Sequence, residues 1–224
     1  MSMIVEQIKG QVQALNACVP KEGHLKTGEI RRLSAKAYRA LPDKSRDAVF
    51  AVCEELLECR DWSLGVIAFD WAYRVREQYD GSTYRVFYRW LEEYVRGWGD
   101  CDDFCTHAFG ELLRRRKELF EKVLEWTAHP DFWVRRAAAV VLIPSILRED
   151  SAGIEPLKIA DRLLTDDHDL VQKGYGWMLK CLSQVEPETV IGYLEEHYRE
   201  MPRTAFRYAL EKIDPETRKR LMSL

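Results

Sequence analysis

Two tryptophans, one carboxylate and two cations recur along the 224-residue sequence at nearly constant spacing. Trp98, Arg136 and Trp177 lie 38 and 41 residues apart; Asp102, Arg136 and Lys173 lie 34 and 37 apart. If each interval is one structural repeat, equivalent positions align and these side chains share a surface. Trp98 and Asp102, four apart, fall on one face of any helix that contains both. A carboxylate between aromatic rings can hold a developing positive charge, while neighbouring cations grip anionic groups. Each residue also has a plainer role. Trp98 can anchor a helix start, and Asp102 can serve the helix dipole beside Asp100 and Asp103. Arg136 can bridge neighbouring repeats through ion pairs. Gly174 and Gly176 precede Trp177 inside a helical pattern, where each costs about 1 kcal/mol relative to Ala, which signals close backbone approach to a helix or a ligand. Trp62, Trp71, Trp90, Trp126 and Trp133 are assigned to packing.

Other chemistries find little support. Six cysteines occur, at 18, 53, 59, 101, 105 and 181. Cys53 and Cys59 fall in an apolar-periodic stretch and read as ordinary buried thiols. Cys101, Cys105 and His107 imitate part of a metal site, but no second Cys/His pair completes a tetrahedral set. No glycine-rich phosphate loop is present. The expectation is therefore no metal and no nicotinamide cofactor.

The elements that would position these residues read as helices throughout. Val49, Val52, Cys53, Leu56 and Leu57 repeat at the spacing of one buried helix face. Leu112, Leu113, Phe120, Val123 and Leu124 continue the style after a break near Arg116. Breaks recur around Pro42, Asp61, Asp80-Gly81, Trp98-Gly99, His129-Pro130, Ser151 to Gly153, Asp166-Asp167, Pro187, Pro202 and Pro215. The segment from Asp131 to Leu142 overlays that from His168 to Leu179 at an offset of 37, matching Val134 to Val171 and Arg136 to Lys173. A weaker match starts at Asp61, 70 residues before Asp131. Asp-x-x-Val-Arg opening an apolar helix resembles the HEAT repeat, a helical pair of about 40 residues. One pair cannot bury its own apolar faces, so neighbours must stack. The expected fold is all-α: an α-solenoid of HEAT-like repeats forming a single curved domain over residues 1–224.

Composition bounds the partners. Hydrophobic residues at 46% and charged residues at 32% exclude a disordered tail. No apolar run approaches the roughly 20 residues that cross a bilayer, so no membrane partner is expected. Glu6 and Lys9 interrupt any secretory signal, which with the reduced thiols points to the cytoplasm. The 34 basic and 37 acidic residues exclude bulk positive charge as a means of holding nucleic acid, but not a local basic surface. Between residues 199 and 220 seven cations, Arg203 and Arg207 among them, face four carboxylates. Arg114 to Lys117 form a second cluster, a DNA contact or a solvated helix end, and Lys26, Arg31 and Arg32 a third.

Trp98-Gly-Asp-Cys-Asp102, Phe132-Trp-Val-Arg-Arg136 and Gln172-Lys-Gly-Tyr-Gly-Trp177 resemble three motifs of the AlkD-type DNA alkylation repair proteins, a family of HEAT-like DNA glycosylases. Lys26 to Arg32 resembles their early segment and Pro202 to Ala209 their C-terminal helix. The likeness spans roughly residues 24 to 213. Residues 1–23 depart from the pattern, lacking the family's aromatic-rich opening helix. The resemblance implies excision of cationic alkylpurines, N3-methyladenine and N7-methylguanine, from duplex DNA in base excision repair by a monomeric, bacterial-type, nucleoid-associated enzyme without a base-flipping pocket. By the motif match Asp102 would stabilise oxocarbenium character at C1′, with Trp98 and Trp177 flanking the deoxyribose. Arg136, Lys173, Arg203 and Arg207 would contact DNA, Arg136 by pairing with a backbone phosphate. The competing readings are a non-catalytic HEAT-like module that binds DNA and a protein-interaction scaffold.

Overall fold

The computed structural model describes residues 2–19 and 25–224, and among them the regular structure is helical, with no strand. The all-α expectation holds. The chain divides into two compact units, Met1–Ala108 and Phe109–Leu224. The first contains α1 (Met3–Ala17), α2 (Thr27–Arg39), α3 (Arg46–Glu58), α4 (Trp62–Arg74), α5 (Thr83–Tyr94) and α6 (Trp98–Thr106). The second contains α7 (Ala108–Arg115, starting at the division), α8 (Phe120–Glu125), α9 (Phe132–Val140), α10 (Ile143–Leu147) and α11 (Pro156–Leu163). It continues through α12 (Asp169–Leu182), α13 (Pro187–His197), α14 (Arg203–Ala209) and α15 (Pro215–Met222). Among the described residues no helix is long and apolar enough to cross a membrane. Helix α1 carries no aromatic residue, in line with the departure read at the N-terminus; residues 20–24, the end of that segment included, lie outside the described residues.

The core of the first unit forms around α4. Every residue from Ser63 to Ala72 is buried, because α2, α3 and α6 all pack against this helix. Phe69 stacks on Phe104 with ring centroids 4.5 Å apart, and Phe104 meets Phe87 edge-on at 5.2 Å. The buried indoles keep their N–H groups satisfied: Trp71 donates to the Ser34 carbonyl at 3.2 Å and Trp90 to Glu54 at 3.0 Å. Trp126 is also buried. The packing assignment holds for these three tryptophans. Trp62 departs from it, being 41% exposed at the first position of α4.

Capping confirms the sequence register. Asp61 accepts from the Leu64 amide at 3.0 Å, Asp131 from Trp133 at 2.8 Å, and His168 Nδ1 from Leu170 at 3.2 Å. The three positions matched at offsets of 70 and 37 are thus three side-chain N-caps, each satisfying an amide that the helix cannot. Pro187 and Pro215 open α13 and α15, where the missing N–H costs nothing. One break moves. Trp98-Gly99 begins α6 instead of interrupting the chain, and the extended residue is Gly97.

In the second unit α12 packs against α9, α11 and α14. Gly176 allows the last contact: a Cβ there would lie 2.8 Å from both the Ala205 carbonyl oxygen and Tyr208 Cβ. Its signal of close approach therefore resolves to a neighbouring helix. Gly176→Ala should overpack the α12–α14 contact and cost about 1–3 kcal/mol, read as a lower midpoint in chemical denaturation at unchanged slope.

Candidate active site

Helix α6 is only nine residues long, and its buried face is Cys101, Phe104 and Cys105, at the spacing of one helical stripe. Trp98 and Asp102 lie off that stripe. Trp98 is 65% exposed and Asp102 half-buried. The start of α6 has no side-chain cap at Gly97, and Asp100 compensates by accepting from the Arg96 amide at 3.2 Å. Burial pushes the Asp100 carboxyl above the usual range, against the pull of those backbone amides.

A network beneath α6 fixes it to α2 and α4. Arg31 pairs with Asp70 at 3.3 Å and also with Asp103, the neighbour of Asp102. Asp70 is held further by Ser34 and by Arg74 Nε at 2.9 Å. His107 Nδ1 lies 2.8 Å from the Asp103 carbonyl oxygen. Burial raises the Asp103 carboxyl despite Arg31 and His107. Arg31, read from sequence as part of a phosphate-binding trio, is thus occupied inside the protein, whereas Lys26 and Arg32 are exposed.

Trp98 and Asp102 line one cleft of about 940 Å³ within the first unit, formed between the start of α2, the start of α4, the end of α5 and the start of α6. Its walls include Trp62, Phe69 and Tyr94 as well as Trp98, and the carboxylates Asp61, Asp100, Asp102 and Asp103. Trp62 and Tyr94 escaped the sequence reading. The available signal was register: Trp62 follows the capping Asp61 just as Phe132 follows Asp131, and a first-turn residue is readily exposed.

The remaining candidates belong to the second unit. Arg136 of α9 is 5% exposed, and its Nη1 donates to the Leu170 carbonyl at 2.5 Å. Gly174 makes room for it, since a Cβ there would lie 3.0 Å from Arg136 Cγ. Lys173, one residue before, pairs with Asp169 at 2.6 Å, which raises its pKa. Trp177 is half-buried on the same helix, close enough to Cys181 for a hydrogen bond to its sulfur. Arg203 and Arg207 are exposed on α14; Arg203 lies over the Phe206 ring at 5.2 Å, and Arg207 has no ion-pair partner among the described residues. The structure therefore brings Trp98 together with Asp102, and Arg136 together with Lys173 at the α9–α12 contact. The Arg114–Lys117 cluster is spent internally. Arg114, Arg115 and Arg148 all bind Glu111, which is 2% exposed, and Arg114 and Lys117 bind Asp150.

Comparison with known proteins bears on what this arrangement serves. No curated protein matches the sequence. Among solved structures, one described as a predicted DNA alkylation repair enzyme from Enterococcus faecalis is similar, with a TM-score of 0.67 at 15% identity over 95% of each chain. A second is the Pseudomonas fluorescens alkylpurine DNA glycosylase AlkC bound to DNA containing an abasic site analog, with a TM-score of 0.55 at 17% identity. That match covers 98% of this chain and 65% of the other. Likeness at such identities establishes a shared helical fold. The model of the DNA alkylation repair enzyme family matches residues 24–213, most of the chain and the stretch that holds every candidate residue above. The chain belongs to the DNA alkylation repair enzyme family.

Proposed function

We propose that the protein is an AlkD-type, monofunctional DNA glycosylase that excises cationic alkylpurines, N3-methyladenine and N7-methylguanine, from duplex DNA. The observation that carries this reading is the cleft that Asp102 and an exposed tryptophan, Trp98, line from one short helix, in a chain of the DNA alkylation repair family. Alkylation at N3 or N7 makes the purine a good leaving group, so the protein must mainly stabilise what remains. As the glycosidic bond breaks, positive charge grows on the sugar at C1′. A half-buried carboxylate favours that charge more strongly than one in open water. The face of Trp98 attracts the same charge and shields it from bulk solvent. The 37-residue register of capped helices supports HEAT-like repeats.

The second unit supplies the duplex-holding groups in this reading. Of the candidate cations in this unit, Arg203 and Arg207 are exposed, and Lys173 is half-buried on the helix that also carries Trp177. Arg136 secures the α9–α12 contact, and its phosphate contact rests on the motif match alone. Each of Arg203→Ala and Arg207→Ala should weaken duplex binding across sequences and lower the slope of log K against log salt by about 0.9. A titration by fluorescence anisotropy at several salt concentrations checks this; an unchanged slope removes both from the interface. The proposed setting is the cytoplasm, at the nucleoid, with the protein acting as a monomer.

The reading is tested by incubating purified protein with methylated duplex DNA and identifying released bases by mass spectrometry. Free N7-methylguanine and N3-methyladenine above the spontaneous rate support it. Tight duplex binding without release of any cationic base would instead make this a non-catalytic DNA-binding module.

A further inference from the structure

We propose that Trp62 is a positioning residue: the edge of its indole seats the first turn of α6 and so fixes where Trp98 and Asp102 stand. The inference deepens the glycosylase reading and rests on it. The need arises from how α6 is held. Beyond its first turn the helix is anchored twice, by Phe104 stacked on Phe69 at 4.5 Å and by Asp103 paired with Arg31. The first turn is held differently. Gly97 supplies no side-chain cap, and Asp100 accepts from the Arg96 amide at 3.2 Å. Cys101 donates to the Gly97 carbonyl at 3.1 Å. Trp98 and Gly99 precede that bond, among the amides a helix cannot itself satisfy, so their place is set from outside α6.

Trp62 makes that outside contact. A Cβ on Gly99 would lie 3.0 Å from Trp62 Nε1 and 3.7 Å from its Cδ1, so the pyrrole edge of the indole rests on the bare α-carbon between Trp98 and Asp100. Gly99 is not needed for a left-handed backbone, since among the described glycines only Gly153 has a positive φ. Close approach is what its missing side chain serves.

The seat itself is firm. Trp62 opens α4, whose residues from Ser63 to Ala72 are all buried, and Asp61 caps that helix at 3.0 Å. Arg60, one residue earlier, sits at φ 54°, a left-handed conformation that penalises any residue with a Cβ. Strain of this kind persists where surrounding contacts over-determine it. Here the Arg60 side chain donates to the Glu93 carbonyl and covers the Tyr94 ring at 4.8 Å. The turn between α3 and α4 therefore grips both sides of the α5–α6 connection: Arg60 holds the end of α5, and Trp62 the start of α6. Position matters here because a misplacement of about 1 Å at a reacting centre can cost about 10²-fold in rate. At 41% exposed, Trp62 can be truncated without opening the core.

The test combines rate, affinity and amide hydrogen exchange. Trp62→Ala should slow single-turnover release of N7-methylguanine about tenfold, with affinity for the duplex within about threefold of wild type. Gly99→Ala should slow release similarly, by pushing the first turn off the indole. The double variant should be no slower than Trp62→Ala alone, because the atoms nearest the added methyl are then gone. Exchange reads the seat without any activity. In Trp62→Ala the amides of Cys101 and Asp102 should exchange at least about tenfold faster, while those of Phe69 and Trp71 in α4 change less than about threefold. Equal acceleration in both helices, or none in α6, would overturn the proposal by reducing Trp62 to a general stabiliser or a bystander. Rate losses that multiply in the double variant, or weakened duplex binding at an unchanged release rate, would also overturn it. Wild-type protein that releases no base would defeat the glycosylase reading, and exchange in α6 would then decide the seat by itself.

Discussion

Asp102→Asn is expected to slow single-turnover release of N7-methylguanine by about 10²–10³-fold, the range seen when one preorganised electrostatic group is removed from an active site. Affinity for a duplex carrying an abasic site should stay within about threefold of wild type, because the lost interaction is made chiefly in the transition state. The substitution suits the question, since Asn keeps the shape of Asp and removes only its charge. Asp102 is half-buried, where an ionic interaction is less screened than at an open surface. Its helix is tied to the first unit through Arg31, Asp70 and Asp103, none of which the substitution touches. A folding defect would therefore not account for lost activity, and an unchanged melting temperature should accompany it. A variant that releases base at more than about a third of the wild-type rate would remove Asp102 from the reaction.

The largest effect on stability is expected from Glu111→Gln. Glu111 is 2% exposed and accepts hydrogen bonds from three guanidinium groups: Arg114 at 2.8 and 3.0 Å, Arg115 at 2.7 Å and Arg148 at 2.5 Å. Burial alone would raise its carboxyl. The three arginines outweigh that and lower it to about 2, from an ordinary 4.5. A carboxyl depressed in the folded state stabilises the protein above the unfolded value and loses that contribution as pH falls through the folded one. The network thus contributes about 3 kcal/mol at neutral pH, declining between about pH 4.5 and pH 2. Glu111→Gln leaves three cations without their common partner, a change that typically costs about 3–5 kcal/mol. The melting temperature of the second unit should fall by about 10 °C or more at neutral pH, and the gap to wild type should narrow in acid. A gap of under about 2 °C, or one that does not depend on pH, would show that Glu111 contributes little.

How far the molecule was readable in advance depended on range. The helices and their starts were legible because their causes are local. The buried face of Val49, Cys53, Leu56 and Leu57 is written at helical spacing, and Asp61, Asp131 and His168 each cap the helix that follows within three residues. Trp98 and Asp102 were also legible as a pair, since four residues of helix place both on one face. What escaped depends on partners distant in sequence. Arg31 reads as a free cation until Asp103, 72 residues later, is found beside it. Arg114 and Arg115 look like a surface patch until folding brings Arg148 to the same buried carboxylate. Gly174 and Gly176 announced a close approach, but only the fold assigns one to the Arg136 side chain and the other to the backbone of α14. Trp62 was misjudged because tryptophan is usually core; its place directly after the capping Asp61 signals exposure, but only the fold shows that it lines the same cleft as Trp98.

The central claim is that this cleft breaks the glycosidic bond of a cationic purine. The most direct measurement uses a duplex with a single N7-methylguanine, enzyme in excess, counting free base and abasic sites over the same time course. The account predicts that both appear together in equal amounts with wild type, well above the spontaneous rate, and that Asp102→Asn remains near that rate. Wild-type protein that occupies the duplex while free base and abasic sites stay at the spontaneous level would contradict it.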